Sequence, residues 1–157
     1  LKGSLYEGGI RVPLIVRWPG RVPAGTTSEY VTGLEDWIPT LLDLIGEKKT
    51  IPAGLDGLSI ANILYGKNQS PREFLYREFS GYGGQQAVWS GRWKAIRKDI
   101  LRKKNKQPLK IHLYDLNTDI SESNDIAAKN PKVVVQLRKL MDREHTPSEF
   151  YPIKPLD

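Results

Sequence analysis

A chain of 157 residues, 39% of them hydrophobic, can bury one ordinary domain core, yet no stretch is long and apolar enough for a membrane-spanning helix. It has no cysteine, which excludes disulfides, thiolate metal sites and a cysteine nucleophile within these residues. The net charge is +6, and the excess is local: Arg92, Lys94, Arg97, Lys98, Arg102, Lys103, Lys104, Lys106 and Lys110 share one stretch. That stretch reads first as a solvated hairpin edge or loop and second as a patch for a polyanion.

The opening Leu1-Lys2-Gly3-Ser4 has no initiator methionine and no apolar signal segment, so a piece of a longer protein is expected. Residues 6–9 read as a glycine-rich loop. Leu14, Ile15, Val16 and Trp18 then form a nearly continuous apolar run ended by Pro19-Gly20. This pattern predicts a strand covered on both faces, as in an α/β sheet. One strand and one helix cannot cover both faces, so burial of this run is expected to need residues outside the chain. A helix is predicted from Asp36 as N-cap, with Pro39 in its first turn, Ile38, Leu41, Leu42 and Ile45 at helical spacing, and Gly46 as the stop. A short helix over 58–64 ends at Gly66. The polar residues 67–72 suggest a boundary. It divides the chain into 1–66, the end of an α/β domain, and 67–157, a subdomain.

The second half predicts a strand over 74–79 and a hairpin of 87–89 and 93–97 about Ser90-Gly91-Arg92. A further strand is expected over 110–116. Asn130 caps a helix with Pro131 at its first position and a stripe of Val133, Val134, Leu137, Leu140 and Met141. The tail from Thr146 carries three prolines and is expected on the surface. These elements make a small α+β layer, antiparallel strands packed by one helix.

Several motifs fail on spacing. Asp115-Leu116-Asn117-Thr118-Asp119 begins like a calcium loop, but Ile120 stands where glycine belongs and Ile126 where the closing glutamate belongs. A polar turn is the better reading. His112 and His145 are far apart in sequence, and no metal site is expected in these residues. No serine sits in a nucleophile elbow. Trp89 and Trp93 are the only aromatics near the basic run, and their spacing suits hairpin packing, so no nucleic-acid partner is expected.

The strongest signal is Lys2-Gly3-Ser4-Leu5-Tyr6-Glu7-Gly8-Gly9-Ile10-Arg11-Val12-Pro13. It resembles a segment of sulfatases of the alkaline-phosphatase superfamily, in which a lysine precedes a Tyr/Trp-Glu-Gly-Gly-x-Arg-x-Pro run. Asp36-Trp37-Ile38-Pro39-Thr40-Leu41-Leu42 resembles the family's Asp-x-x-Pro-Thr-Leu-Leu helix, and Asp56-Gly57-Leu58-Ser59 its Asp-Gly-x-Ser turn. Residues 86–97 resemble its C-terminal hairpin. Leu113-Tyr114-Asp115-Leu116 and then Glu122-Ser123-Asn124-Asp125-Ile126-Ala127 resemble its Leu-Tyr-Asp-Leu and Glu-x-x-Asn-Leu-Ala elements. The order of these elements is more specific than any one of them.

The resemblance implies the C-terminal portion of a sulfuric ester hydrolase with an α/β parent fold. The first strand and helix would belong to its large central sheet. It carries across one catalytic residue, Lys2, which in the family contacts the sulfate group. Gln85, Gln86 and Arg92 are weaker candidates for a substrate subsite, and Glu7 and Arg11 are expected to anchor the loop. The family's formylglycine nucleophile, calcium-binding carboxylates and catalytic histidines would lie upstream. The expected partners are therefore a sulfated small molecule or glycan and the missing N-terminal part of the same protein. The alternatives are a related phosphoester or phosphonate hydrolase and a non-enzymatic polyanion-binding module.

Overall fold

A computed structural model describes residues 2–157. They form two compact units, one comprising the segment up to Val12 together with Glu73–Asp157, the other Pro13–Arg72.

The first unit is built on four antiparallel strands in sequential order: β1 Leu75–Phe79, β2 Gln85–Ser90, β3 Trp93–Arg97 and β4 His112–Asp115. The hairpin closes with Ser90 opposite Trp93, leaving Gly91-Arg92 as the turn, and Gly91 takes φ +55° there. The register puts alternate residues on opposite faces. On one face Ala87, Trp89, Ile96 and Tyr114 pack with Leu5, Tyr6 and Ile10. On the other, Val88, Ala95 and Leu113 pack with Leu137 and Met141. The latter two belong to α4, Pro131–Glu144. The expected stripe is therefore correct: Val133, Val134 and Leu140 flank those two residues. Asn130 does precede the helix, but its side chain makes no cap; its amide instead donates to the carbonyl of Ile126. The opposite face is covered by the chain's own N-terminal segment, including the single turn α1, Glu7–Ile10.

The second unit holds α2, Trp37–Leu44, and α3, Ala61–Leu64, the latter shorter than expected because it starts only after Ile60. Asp36 corrects the reading as an N-cap. It ends a 3-10 turn, Leu34–Asp36, in helical conformation, and its carboxylate caps nothing in α2. It is instead the buried hub of the unit. The carboxylate accepts from the Thr32 hydroxyl (2.8 Å), Gly33 N–H (2.9 Å) and Leu58 N–H (2.7 Å), and pairs with the Arg72 guanidinium. Thr40, four residues on, accepts from Ile60 N–H at 3.0 Å, and the Ser59 hydroxyl donates to Asp43 at 2.6 Å. Gly57 is obligatory for this interlock, since a Cβ there would lie 2.0 Å from the Glu35 carbonyl oxygen. The Asp-x-x-Pro-Thr and Asp-Gly-x-Ser elements thus answer each other structurally.

Burial pushes the Asp36 carboxyl up. The hydrogen bonds from Leu58, Gly33 and Thr32, with the Arg72 guanidinium, outweigh burial and hold it below its usual 3.8. A lowered folded pKa adds stability that is complete above the unfolded value and is lost as the pH falls through the folded one. Asp36→Asn should therefore cost about 2–4 kcal/mol at pH 7, with a gap that narrows below pH 3.8. Denaturant titrations of both proteins at the two pH values check this.

The predicted strand over 14–18 is not formed. Among the described residues no strand lies beside it to take its backbone N–H and C=O groups, and Leu14 and Ile15 are exposed. Helix α2 likewise turns Ile38 and Leu41 outward, with Ile45 exposed just beyond its end, and buries Pro39 and Thr40. No helix is long and apolar enough to cross a membrane among the described residues.

Candidate functional site

The candidate site is the loop that begins at Lys2 and lies against the sheet. Lys2 is exposed. The backbone beside it is clamped. The Gly3 carbonyl oxygen accepts from Gln85 Nε2 at 2.9 Å, and Leu5 N–H donates to Gln85 Oε1 at 3.0 Å. Gly3 has φ +83°, and a Cβ on it would meet the Tyr82 ring at 2.2 Å. Only glycine fits that position.

Below the loop is a buried ionic cluster. Lys94 has no exposed surface. Its ammonium lies 3.0 Å from Glu7 and 2.6 Å from Glu122, and over the rings of Trp89 (4.5 Å) and Tyr6 (5.8 Å). Glu7 also accepts from Trp89 Nε1 at 2.8 Å and faces Arg11 at 3.7 Å. Glu122 closes the circuit by accepting from Glu7 N–H at 2.6 Å. It does so from a left-handed conformation, φ +54°. Burial raises the Glu122 carboxyl above its usual value, while the Lys94 ammonium works against that rise. The anchoring role expected for Glu7 is therefore what the structure shows, and the cation that serves it is Lys94, while Arg11 reaches Glu7 within their own turn.

Of the other candidates, Gln85 is buried in the clamp. Gln86 is fully buried: it donates to the Tyr76 hydroxyl and the Met141 carbonyl and accepts from Arg97 at 2.7 Å. It has no surface from which to touch a ligand. Arg92 sits on the hairpin turn, donating to Asp115 at 2.8 Å and lying 5.0 Å over Trp93, with its side chain half exposed.

The basic run is not one patch. Lys94 and Arg97 are interior, and Arg97 is held by Asp142 at 3.0 Å. Lys98, Arg102, Lys104, Lys106 and Lys110 instead line a concavity of about 590 Å³ with Asp99 and His112. His112 and His145 hydrogen-bond to separate carboxylates, His112 to Asp125 (2.8 Å) and His145 to Glu78 (2.6 Å) and Asp157 (3.1 Å). Asp115-Leu116-Asn117-Thr118-Asp119 forms a turn in which Asp115 accepts from Asn117, Thr118 and Asp119 N–H groups. Among the described residues no three His, Asp or Glu side chains are grouped to hold a metal ion.

The ordered motifs, the four-stranded sheet and the clamped loop define the C-terminal region of a sulfatase. The family model "N-sulphoglucosamine sulphohydrolase, C-terminal" matches residues 2–147, and the chain belongs to that family. It is 39% identical to human arylsulfatase A over 98 residues, covering 60% of this chain and 19% of that protein. It is 30% identical to the N-acetylgalactosamine-6-O-sulfatase of Bacteroides thetaiotaomicron over 152 residues, covering 92% of this chain and 29% of that protein. A solved structure of a protein in complex with its substrate D-glucosamine-2-N,6-O-disulfate superposes with a TM-score of 0.71 at 25% identity, over 89% of this chain and 30% of that one. The chain thus spans less than a third of the relatives it matches.

Proposed function

We propose that this chain is one part of an enzyme that hydrolyses sulfate esters on carbohydrates, and that it contributes Lys2 to a site completed by the rest of the protein. The observation that carries the reading is the clamped loop, whose lysine falls within the family match. The relatives that act on sulfated sugars support the substrate class. Calcium to polarise the sulfate and a formylglycine nucleophile are assigned to the remainder of the protein.

Hydrolysis breaks the bond between sulfur and the ester oxygen, and that oxygen gains negative charge as it leaves. A fixed ammonium beside it stabilises that charge more in the transition state than in the ground state. Lys2 supplies the ammonium. Gln85, which grips Gly3 and Leu5, and the Lys94 cluster below act as positioning residues. Arg92 keeps a half-exposed guanidinium for a substrate subsite. The exposed apolar side chains of Leu14, Ile15, Ile38, Leu41 and Ile45 are assigned to contact with the rest of an α/β domain, which would complete the sheet expected around 14–18.

The test is release of inorganic sulfate from a sulfated monosaccharide. The whole protein should release it, and should prefer it to the phosphate ester of the same sugar. The isolated 157-residue chain should release none. Turnover by the isolated chain would refute the division of roles, and a preference for phosphate would favour the phosphoester alternative.

A further inference from the structure

Resting on the sulfated-carbohydrate reading, we infer that the basic concavity and Tyr82 form a second binding site, one that takes a further sulfate group of an extended, multiply sulfated glycan. Five cationic side chains, Lys98, Arg102, Lys104, Lys106 and Lys110, converge on it against one acid, Asp99. Arg102 donates to Asp99 at 2.6 Å. Among the described residues Lys98, Lys104, Lys106 and Lys110 have no carboxylate partner within ion-pair distance. Like charges gathered without compensation repel one another, and a concave wall focuses their field outward onto an anion. The volume, about 590 Å³, suits a sugar unit with its charged substituents.

The concavity is tied to the loop of Lys2 by a continuous run of contacts. The Tyr82 ring lies on Gly3, the neighbour of Lys2. The next residue, Gly83, packs on Arg102 and Asp99, so closely that a Cβ would fall 2.9 Å from Arg102 Nε. The backbone of 83–84 accepts from Ile100 N–H (3.1 Å) and Leu101 N–H (2.7 Å), fixing the two loops to each other. Tyr82 is 68% exposed and holds φ +52°, a conformation that a bulky residue adopts only under constraint. An exposed ring fixed this way offers a flat apolar face. The C–H face of a sugar stacks on such a ring, with one anionic group toward Lys2 and the next toward the basic concavity.

The test uses the whole protein and a heparin-derived octasaccharide, with binding followed by calorimetry over a salt series. The triple change Lys104→Ser, Lys106→Ser, Lys110→Ser should weaken binding about tenfold and flatten its salt dependence. Tyr82→Asn should weaken it about fivefold while the Tm holds or rises, because asparagine accepts a positive φ. Affinity within twofold of the parent in the triple variant would overturn the site. So would equally tight binding of an unsulfated hyaluronan octasaccharide or of single-stranded DNA. A parallel fall in affinity and Tm in Tyr82→Asn would remove Tyr82 from the site. Failure of the hydrolase reading looks different: no sulfate is released from any ester, whatever these affinities are.

Discussion

Replacing Lys94 with methionine should cost about 3–5 kcal/mol, because it leaves two buried carboxylates facing each other without their cation. Lys94 has no exposed surface, and both Glu7 and Glu122 are within 3.0 Å of it. Methionine fills the same space and keeps the contact with Trp89, so the loss is one of charge rather than volume. The pH dependence has a definite sign. The folded Glu122 carboxyl already titrates above its unfolded value through burial, and removing the ammonium removes the main influence that lowers it. A group with a raised folded pKa favours folding more as the pH falls. The deficit of Lys94→Met should therefore shrink in acid. Adding Glu122→Gln should recover part of it, a coupling read directly from a double-mutant cycle. Denaturant unfolding at pH 7 and pH 5 measures both effects. A loss below about 1 kcal/mol at pH 7 would mean the cluster is not the buried ion triad described here.

The second large effect is chemical. Lys2→Ala should lower kcat/KM for a sulfated sugar by about 10²–10³, the usual cost of losing one group aimed at developing negative charge. Stability should hardly change, since Lys2 is exposed and the fold is anchored by its neighbours. This separates it from Lys94→Met, which should lower activity and stability together. On the proposed reading Lys94 acts through the loop, and Lys2 acts on the substrate.

Much of the sheet was legible in the sequence. The hairpin announced itself by the Ser90-Gly91-Arg92 turn between apolar runs, and α4 by its stripe ending in Leu137 and Met141. Those signals are local, and local chemistry decides them. Lys94 was misread because charge is usually solvated. Strand alternation puts it on the inner face beside Trp89, but its burial depends on Glu122, 28 residues away, and on the arrival of the N-terminal loop. Asp36 misled for the same reason. Its sequence neighbours suggested a cap, while two of its actual partners, Leu58 and Arg72, lie far along the chain. The apolar run at 14–18 has the pattern of a covered strand, yet a strand forms only where others pair with it. The role proposed for Lys2 rests on the ordered motifs around it, since a single lysine carries no pattern.

The central claim is that this chain presents Lys2 on a clamped loop as a catalytic group of a sulfatase. The direct measurement is sulfate release by the whole protein and its Lys2→Ala variant from one sulfated monosaccharide, with the Tm of each recorded. A fall in kcat/KM of about 10²–10³, led by kcat and at constant Tm, is the predicted result. Unchanged kcat/KM in the folded variant would contradict it.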